Sequence, residues 1–157
     1  MLVFGSLVPL RGALAESPEL LPRALAVTEM FSAEQRSGLA LEGYDPITYR
    51  LGSAPQLGKG DYEYVWRGLV WRFVSEANRA AFSRNPDVYA PRIGGYDAER
   101  ITRDVLVAAD PEIYVVQADA LYLFRNSEHR RRFLADQGLA AQAEGSWTRT
   151  KTRLVQG

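Results

Sequence analysis

Two short runs of alternating aromatic residues constrain the fold of this chain more than any other feature. Residues 61–66 and 69–73 each alternate apolar with polar or smaller side chains at period 2, which is the spacing of a strand with one buried face. Arg67-Gly68 separates them, and two residues are the length that a tight hairpin needs. The sequence therefore predicts an antiparallel hairpin.

One register of this hairpin suits both of its faces. It places six large apolar side chains on one face and an opposite-charge pair, Glu63 and Arg72, on the other. The apolar pairs are Tyr62 with Phe73, Tyr64 with Trp71, and Trp66 with Leu69. The sequence predicts that the aromatic face is the core.

A short helix is predicted directly after the hairpin. Ser75 is a suitable N-cap, and Asn85-Pro86 is a suitable stop. An apolar arc of Ala77, Ala81 and Phe82 is expected to face the aromatic strands. Asn78 lies inside this arc, and we expect its amide to bond to a neighbouring carbonyl because buried polar groups are hydrogen-bonded.

Several segments in a fixed order carry a resemblance to a known family. They are Gly43-Tyr44-Asp45-Pro46-Ile47-Thr48-Tyr49, Trp71-Arg72-Phe73-Val74-Ser75-Glu76-Ala77-Asn78, Phe82, Asn85-Pro86, Tyr89-Ala90-Pro91 and Gly94-Gly95-Tyr96. This set resembles the YHS-domain family over residues 38–125, and more narrowly its exported branch, which has a Gly-Tyr-Asp-Pro segment. The resemblance implies an α+β fold: a small two-hairpin domain with short helices packed on aromatic strands, similar to a treble-clef core.

The chain departs from that family at its metal-binding positions. Relatives that bind metal have cysteines where Val74 and Asn78 stand here, and the exported branch often has one at the position of Asp97. This chain has no cysteine, so it has no thiolate ligand for a soft metal. Any metal site would have to use oxygen ligands or the single imidazole.

A second hairpin is predicted over residues 113–116 and 121–124, with a turn near Ala118-Asp119. Both of its faces are apolar, so we expect it to be covered on both sides. Asn126 or Ser127 is expected to cap a helix that ends at Gly138 and holds His129 at the edge of the core. The run Arg130-Arg131-Arg132 is expected to be a solvated face, with a phosphate or acidic-partner site as the alternative.

The two ends of the chain are predicted to lie outside the domain at 38–147. Residues 1–15 have the apolar run and the Ala13-Leu14-Ala15 cleavage pattern of a signal peptide, which implies a periplasmic or secreted protein with no membrane segment in its mature form. Residues 16–37 are a lead-in with a possible helix over 28–36. A last helix is expected over Leu139–Ala143, Trp147 is expected to pack onto the domain, and residues 148–157 read as a frayed basic tail.

The candidate ligand-facing residues surround the two Gly-Tyr segments: Tyr44, Asp45, Tyr49, Gly94, Gly95, Tyr96 and Asp97. Leu39 to Leu41 is expected to be a short strand that leads into the first of them. Asp45 is also a plausible cap of a helical turn that Pro46 opens, and Asp97 a plausible turn residue that bonds to backbone amides.

Composition and motifs narrow the possible functions. The formal net charge is zero, which gives no support for nucleic acid or an anionic membrane as the partner. The sequence contains no phosphate loop, nucleophile elbow or paired-histidine zinc motif, so we predict no catalytic residue, resident metal or cofactor. The leading hypothesis is a non-catalytic module for a small molecule or protein partner. The alternatives are a hard-ligand metal protein using Asp45, Asp97, Glu99 or His129, and an uncharacterised enzyme.

The N-terminal pattern makes a testable prediction about processing. If residues 1–15 are a signal peptide, the mature protein begins near Glu16. Intact-mass measurement on protein recovered from its native host should give that shortened chain. A cytosolic species that retains Met1 to Ala15 would contradict the prediction.

Overall fold

Two antiparallel hairpins, each followed by a helix, organise residues 38–156, which are the residues that the computed structural model describes. The strands are β1 (Lys59–Trp66), β2 (Leu69–Phe73), β3 (Asp110–Gln117) and β4 (Ala120–Phe124). The helices are α1 (Glu76–Arg84), α2 (Pro86–Tyr89), α3 (Ser127–Ala135) and α4 (Leu139–Gln156), and 3₁₀ turns occupy Leu41–Gly43, Thr48–Arg50 and Arg100–Arg103. This is the small α+β, two-hairpin domain that the sequence predicts.

The predicted register of the first hairpin is confirmed near its turn. Trp66 pairs with Leu69, Tyr64 with Trp71, and Glu63 with Arg72, and the Arg72 Nε donates to Glu63 Oε1 at 2.9 Å. Both turn residues, Arg67 and Gly68, have positive φ, as the tightest hairpin turns require.

The register is wrong at the far end of the hairpin, because a bulge intervenes. Phe73 pairs with Lys59 rather than with Tyr62, and residues 60–62 are extra residues in β1. Just before the bulge the chain crosses the backbone of β2 so closely that a Cβ on Gly58 would lie 2.4 Å from the Arg72 carbonyl carbon. Alternation at period 2 does not reveal extra residues in one strand, so this shift could not be predicted from the sequence.

The helix after the hairpin begins and ends where the sequence predicts. The Ser75 Oγ accepts from the Asn78 amide at 3.2 Å, and Asn85 is the C-cap. Phe82 is fully buried, but Ala77 is exposed, so the predicted arc is wrong at that position. Asn78 is hydrogen-bonded as expected, although its acceptor is the distant Asp45 carboxylate and not a neighbouring carbonyl.

The second hairpin and its helix repeat the first, and this duplication was not predicted from the sequence. In both hairpins an extra three-residue segment interrupts the pairing at the same place, between Lys59 and Glu63 and between Asp110 and Tyr114. Ala118 and Asp119 have the positive φ values of the first turn, and Asn126 caps α3 as Ser75 caps α1. We call residues 38–89 the first unit and residues 90–156 the second unit.

Strand β4 lies between two hydrophobic cores. Leu121 and Leu123 pack into the core of the first unit, with Trp71, Phe73 and Phe82. The alternate residues of β4 pack into a second core; they are Ala120, Tyr122 and Phe124, which meet Phe133 and Trp147. The predicted burial of both faces is therefore confirmed for this strand, because each face belongs to a different core.

The C-terminal helix is much longer than the sequence predicts. In place of a helix over Leu139–Ala143 and a frayed tail from Thr148, one helix runs through Leu139–Gln156, with Thr150 buried on it. Trp147 packs onto the domain as expected and is 5% exposed. Helix α3 ends at Ala135, before the predicted stop at Gly138.

The remaining predictions concern the segments before β1. The expected strand at Leu39 to Leu41 reduces to a bridge between Leu39 and Val70, followed by a 3₁₀ turn. The predicted signal peptide, lead-in segment and 28–36 helix lie outside the described residues.

The two faces of the first hairpin should respond differently to truncation. Trp71 is 1% exposed and its ring lies 4.8 Å from that of Phe82, so Trp71→Ala should lower the free energy of unfolding by about 3–5 kcal/mol. Arg72→Ala removes only a half-exposed ion pair and should cost about 0–1 kcal/mol. Thermal or denaturant unfolding measures the loss of stability in each variant. Equal losses in the two variants would mean that the faces are assigned wrongly.

Candidate functional site

The Asp45 carboxylate is fully buried and joins three parts of the first unit. One oxygen accepts from the Ile47 amide at 2.8 Å, which confirms the predicted cap of the local turn. The other accepts from the Val74 amide at 2.9 Å and from the Asn78 side-chain amide at 2.7 Å. This carboxylate therefore holds the 43–50 loop against the junction of β2 and α1.

The Asp97 carboxylate does the same in the second unit and is also fully buried. Oδ1 accepts from the amides of Glu99 and Arg100, each at 2.9 Å. Oδ2 accepts from the Arg125 amide at 2.7 Å and lies 2.6 Å from His129 Nδ1. Asp97 therefore has the predicted turn role. The His129 imidazole occupies the position that the Asn78 amide has in the first unit.

Tyr44 and Tyr49 connect the first unit to β3. The Tyr44 hydroxyl donates to Glu112 Oε1 at 2.7 Å, and this bond, with partial desolvation, raises the pKa of Tyr44. The buried Tyr49 hydroxyl donates to the Pro111 carbonyl at 3.0 Å, and burial raises the pKa of Tyr49. Both phenols stay protonated at neutral pH, which suits them to donate these bonds.

The structure places the seven predicted site residues at several points of the fold. Gly94 and Gly95 have positive φ in the loop at the start of the second unit, and Tyr96 packs on Trp147 with ring centroids 5.7 Å apart. Asp45 forms its hydrogen bonds within the first unit, and Asp97 within the second. Of the seven, only Gly94 lines the cleft described next, so a common ligand-facing edge stays a prediction.

A cleft of about 170 Å³ opens where the first hairpin, the loop at Ala90–Gly94 and α4 meet. Its walls combine aromatic and cationic side chains with the backbone of the loop. They are Trp66, Arg67, Asp87, Ala90, Pro91, Arg92, Gly94, Trp147 and Lys151. This cleft was not predicted from the sequence, because Lys151 was expected in a tail and Trp66 at the core, where its half-buried ring also packs.

Positive charges outnumber negative charges at the cleft. Arg67 pairs with Asp87 at 3.0 Å and lies over the Trp66 ring at 4.4 Å. The Lys151 ammonium lies 5.7 Å from the centre of the Trp147 ring. Among the described residues, neither Arg92 nor Lys151 forms an ion pair with a carboxylate, so the cleft carries an excess of positive charge.

A second cluster of polar groups lies at the Asp97 carboxylate. Asp97, Glu99 and His129 each offer one ligand atom, and these atoms lie within 4.8 Å of one another. Glu99 is 2% exposed; its Oε1 faces Arg103 at 3.2 Å, whereas its Oε2 is buried without a hydrogen-bond donor. The sequence named these residues as possible hard ligands, but only the fold brings them together.

No family model, curated protein or solved structure matches this chain. Within residues 38–156, no helix combines the length and apolar character needed to cross a membrane.

The buried aspartate of the first unit should be essential for stability. Asp45→Ala leaves three donors without their acceptor, and each buried unsatisfied donor costs about 1–3 kcal/mol, so we expect a loss of roughly 3–5 kcal/mol. Asp61→Ala is the matched control, because Asp61 is exposed and its loss should change stability by less than about 0.5 kcal/mol. Chemical denaturation measures the free energy of unfolding of both variants. Similar unfolding midpoints for Asp45→Ala and Asp61→Ala would contradict the role assigned to Asp45.

Proposed function

We propose that this protein is an exported, non-catalytic YHS-like binding module whose ligand is a small organic anion. The observation that carries the proposal is the cleft between the units, where Arg92 and Lys151 present positive charge beside two tryptophan rings. Export and family rest on residues 1–15 and on the ordered segments of the sequence.

The charge of the cleft favours an anion. Asp87 offsets Arg67, which leaves Arg92 and Lys151 as cations without a carboxylate partner among the described residues. A concave site of one charge sign raises the local concentration of the opposite ion. Because the chain as a whole is neutral, this local excess is a property of the cleft and not of the whole surface.

The size and the aromatic walls of the cleft limit what it can hold. A volume of about 170 Å³ is below the range of roughly 300–1,000 Å³ typical of sites for drug-sized ligands. Trp66 and Trp147 offer apolar surface on which a short carbon skeleton can pack. A carboxylate or phosphate group carried by a few carbon atoms fits both features.

Binding is favoured over catalysis by the composition of the walls. The lining residues include no serine, cysteine or histidine, and the one carboxylate, Asp87, is paired with Arg67. A nucleophile with an adjacent general base is the usual signature of covalent catalysis, and the cleft offers no such pair.

Intrinsic fluorescence gives a direct test, because two of the three tryptophans line the cleft. Titration with citrate and with inorganic phosphate should change the emission and give a saturable curve. Arg92→Ala and Lys151→Ala should each weaken binding by about tenfold or more, since a charge-assisted hydrogen bond contributes about 1.5–3 kcal/mol. Added salt should weaken binding as well.

Arg153→Ala is the matched control, because Arg153 lies on the same helix but pairs with Asp104 at 3.4 Å and does not line the cleft. It should leave the affinity unchanged. Equal losses in Arg92→Ala and Arg153→Ala, or no saturable change with either anion, would contradict the proposal.

A further inference from the structure

We propose that Asp97, Glu99 and His129 form a site for a first-row divalent metal ion, bound by two carboxylate oxygens and one imidazole nitrogen. His129 Nδ1 lies 2.6 Å from Asp97 Oδ2 and 4.0 Å from Glu99 Oε2. The site is separate from the anion cleft and shares none of its residues, so neither proposal depends on the other.

The buried oxygen of Glu99 is the first argument for a cation. Arg103 and Arg132 approach Oε1, at 3.2 and 3.9 Å. Oε2 lies on the side of His129, without a donor, in a side chain that is 3% exposed. A buried carboxylate oxygen with no partner is costly, and an ion at this position supplies the missing interaction.

The first unit provides an internal comparison for the second. There the same buried aspartate is satisfied by backbone amides and by the Asn78 amide, and Ile47 stands where the second unit has Glu99. The structural role of the aspartate therefore needs neither an imidazole nor a second carboxylate. The second unit has both: the imidazole takes the place of the Asn78 amide, and Glu99 adds a carboxylate oxygen that forms no hydrogen bond.

The cluster suits a first-row divalent ion if its three ligand atoms move slightly closer together. Metal bonds of about 2.0–2.2 Å to nitrogen and oxygen place neighbouring ligand atoms roughly 3–3.5 Å apart, whereas these atoms lie within 4.8 Å of one another. The ion would take the place of the hydrogen between His129 and Asp97. The His129 side chain is 17% exposed, so the cluster borders on solvent at the imidazole. Mixed oxygen and imidazole ligands suit manganese, iron or zinc better than copper(I).

Manganese binding to the full chain tests the site. Electron paramagnetic resonance of free Mn²⁺ and isothermal titration calorimetry should show one equivalent bound by the wild type. His129→Asn gives the second unit the residue that the first unit uses, so it should keep the fold and lose Mn²⁺ affinity by at least about 100-fold, the upper end of what outer-shell changes cost. Glu99→Gln keeps the shape of the side chain and should cause a similar loss.

Glu128→Gln is the matched control, because Glu128 is an exposed carboxylate on the helix of His129 and outside the cluster. It should bind Mn²⁺ as the wild type does. Circular dichroism should show that all three variants are folded, and an unfolded His129→Asn protein would leave Glu99→Gln to decide. The proposal is overturned if the wild type binds no Mn²⁺ at millimolar concentration, or if Glu128→Gln weakens binding as much as Glu99→Gln.

Discussion

Two buried carboxylates hold this structure together, one in each unit. Asp45 and Asp97 each join a loop to the junction between the second strand of a hairpin and the helix that follows. A buried charge is tolerated only when hydrogen bonds surround it, and both carboxylates accept from backbone amides and from one side chain of the helix. Because the bonds to Val74, Asn78, Arg125 and His129 cross between segments that are distant in sequence, the carboxylates fix where the loops and helices lie.

Strand β4 makes the two units one domain. Its alternate residues enter different cores, so neither core is complete without it. The same arrangement brings the tip of the first hairpin, the loop at Ala90–Gly94 and α4 around a common cleft. The proposed anion site thus lies where the duplicated units meet.

The duplication also separates structural from functional roles. Where two units share a fold, a residue type present at the same position in both has a structural role. A residue that differs between equivalent positions can have a further, functional role. Asn78 and His129 hold equivalent aspartates, but only His129 has a buried second carboxylate beside it. This contrast underlies the proposed metal site.

The sequence by itself determined the hairpins, their turns and the caps at Ser75 and Asn126, because alternation and capping are local patterns. It also determined the aromatic face of the first hairpin, although only its β2 residues are fully buried and its β1 residues pack half-buried against the core. It could not reveal the bulge at residues 60–62, since an extra residue leaves alternation on either side intact. It assigned residues 148–157 to a tail because the apolar positions of α4 have meaning only against the second core. The cleft was decided by tertiary structure alone, because only the packing of the two units brings its walls together. The cluster of Asp97, Glu99 and His129 was also decided by tertiary structure, because the folding of the second unit places α3 against the loop that holds the two carboxylates.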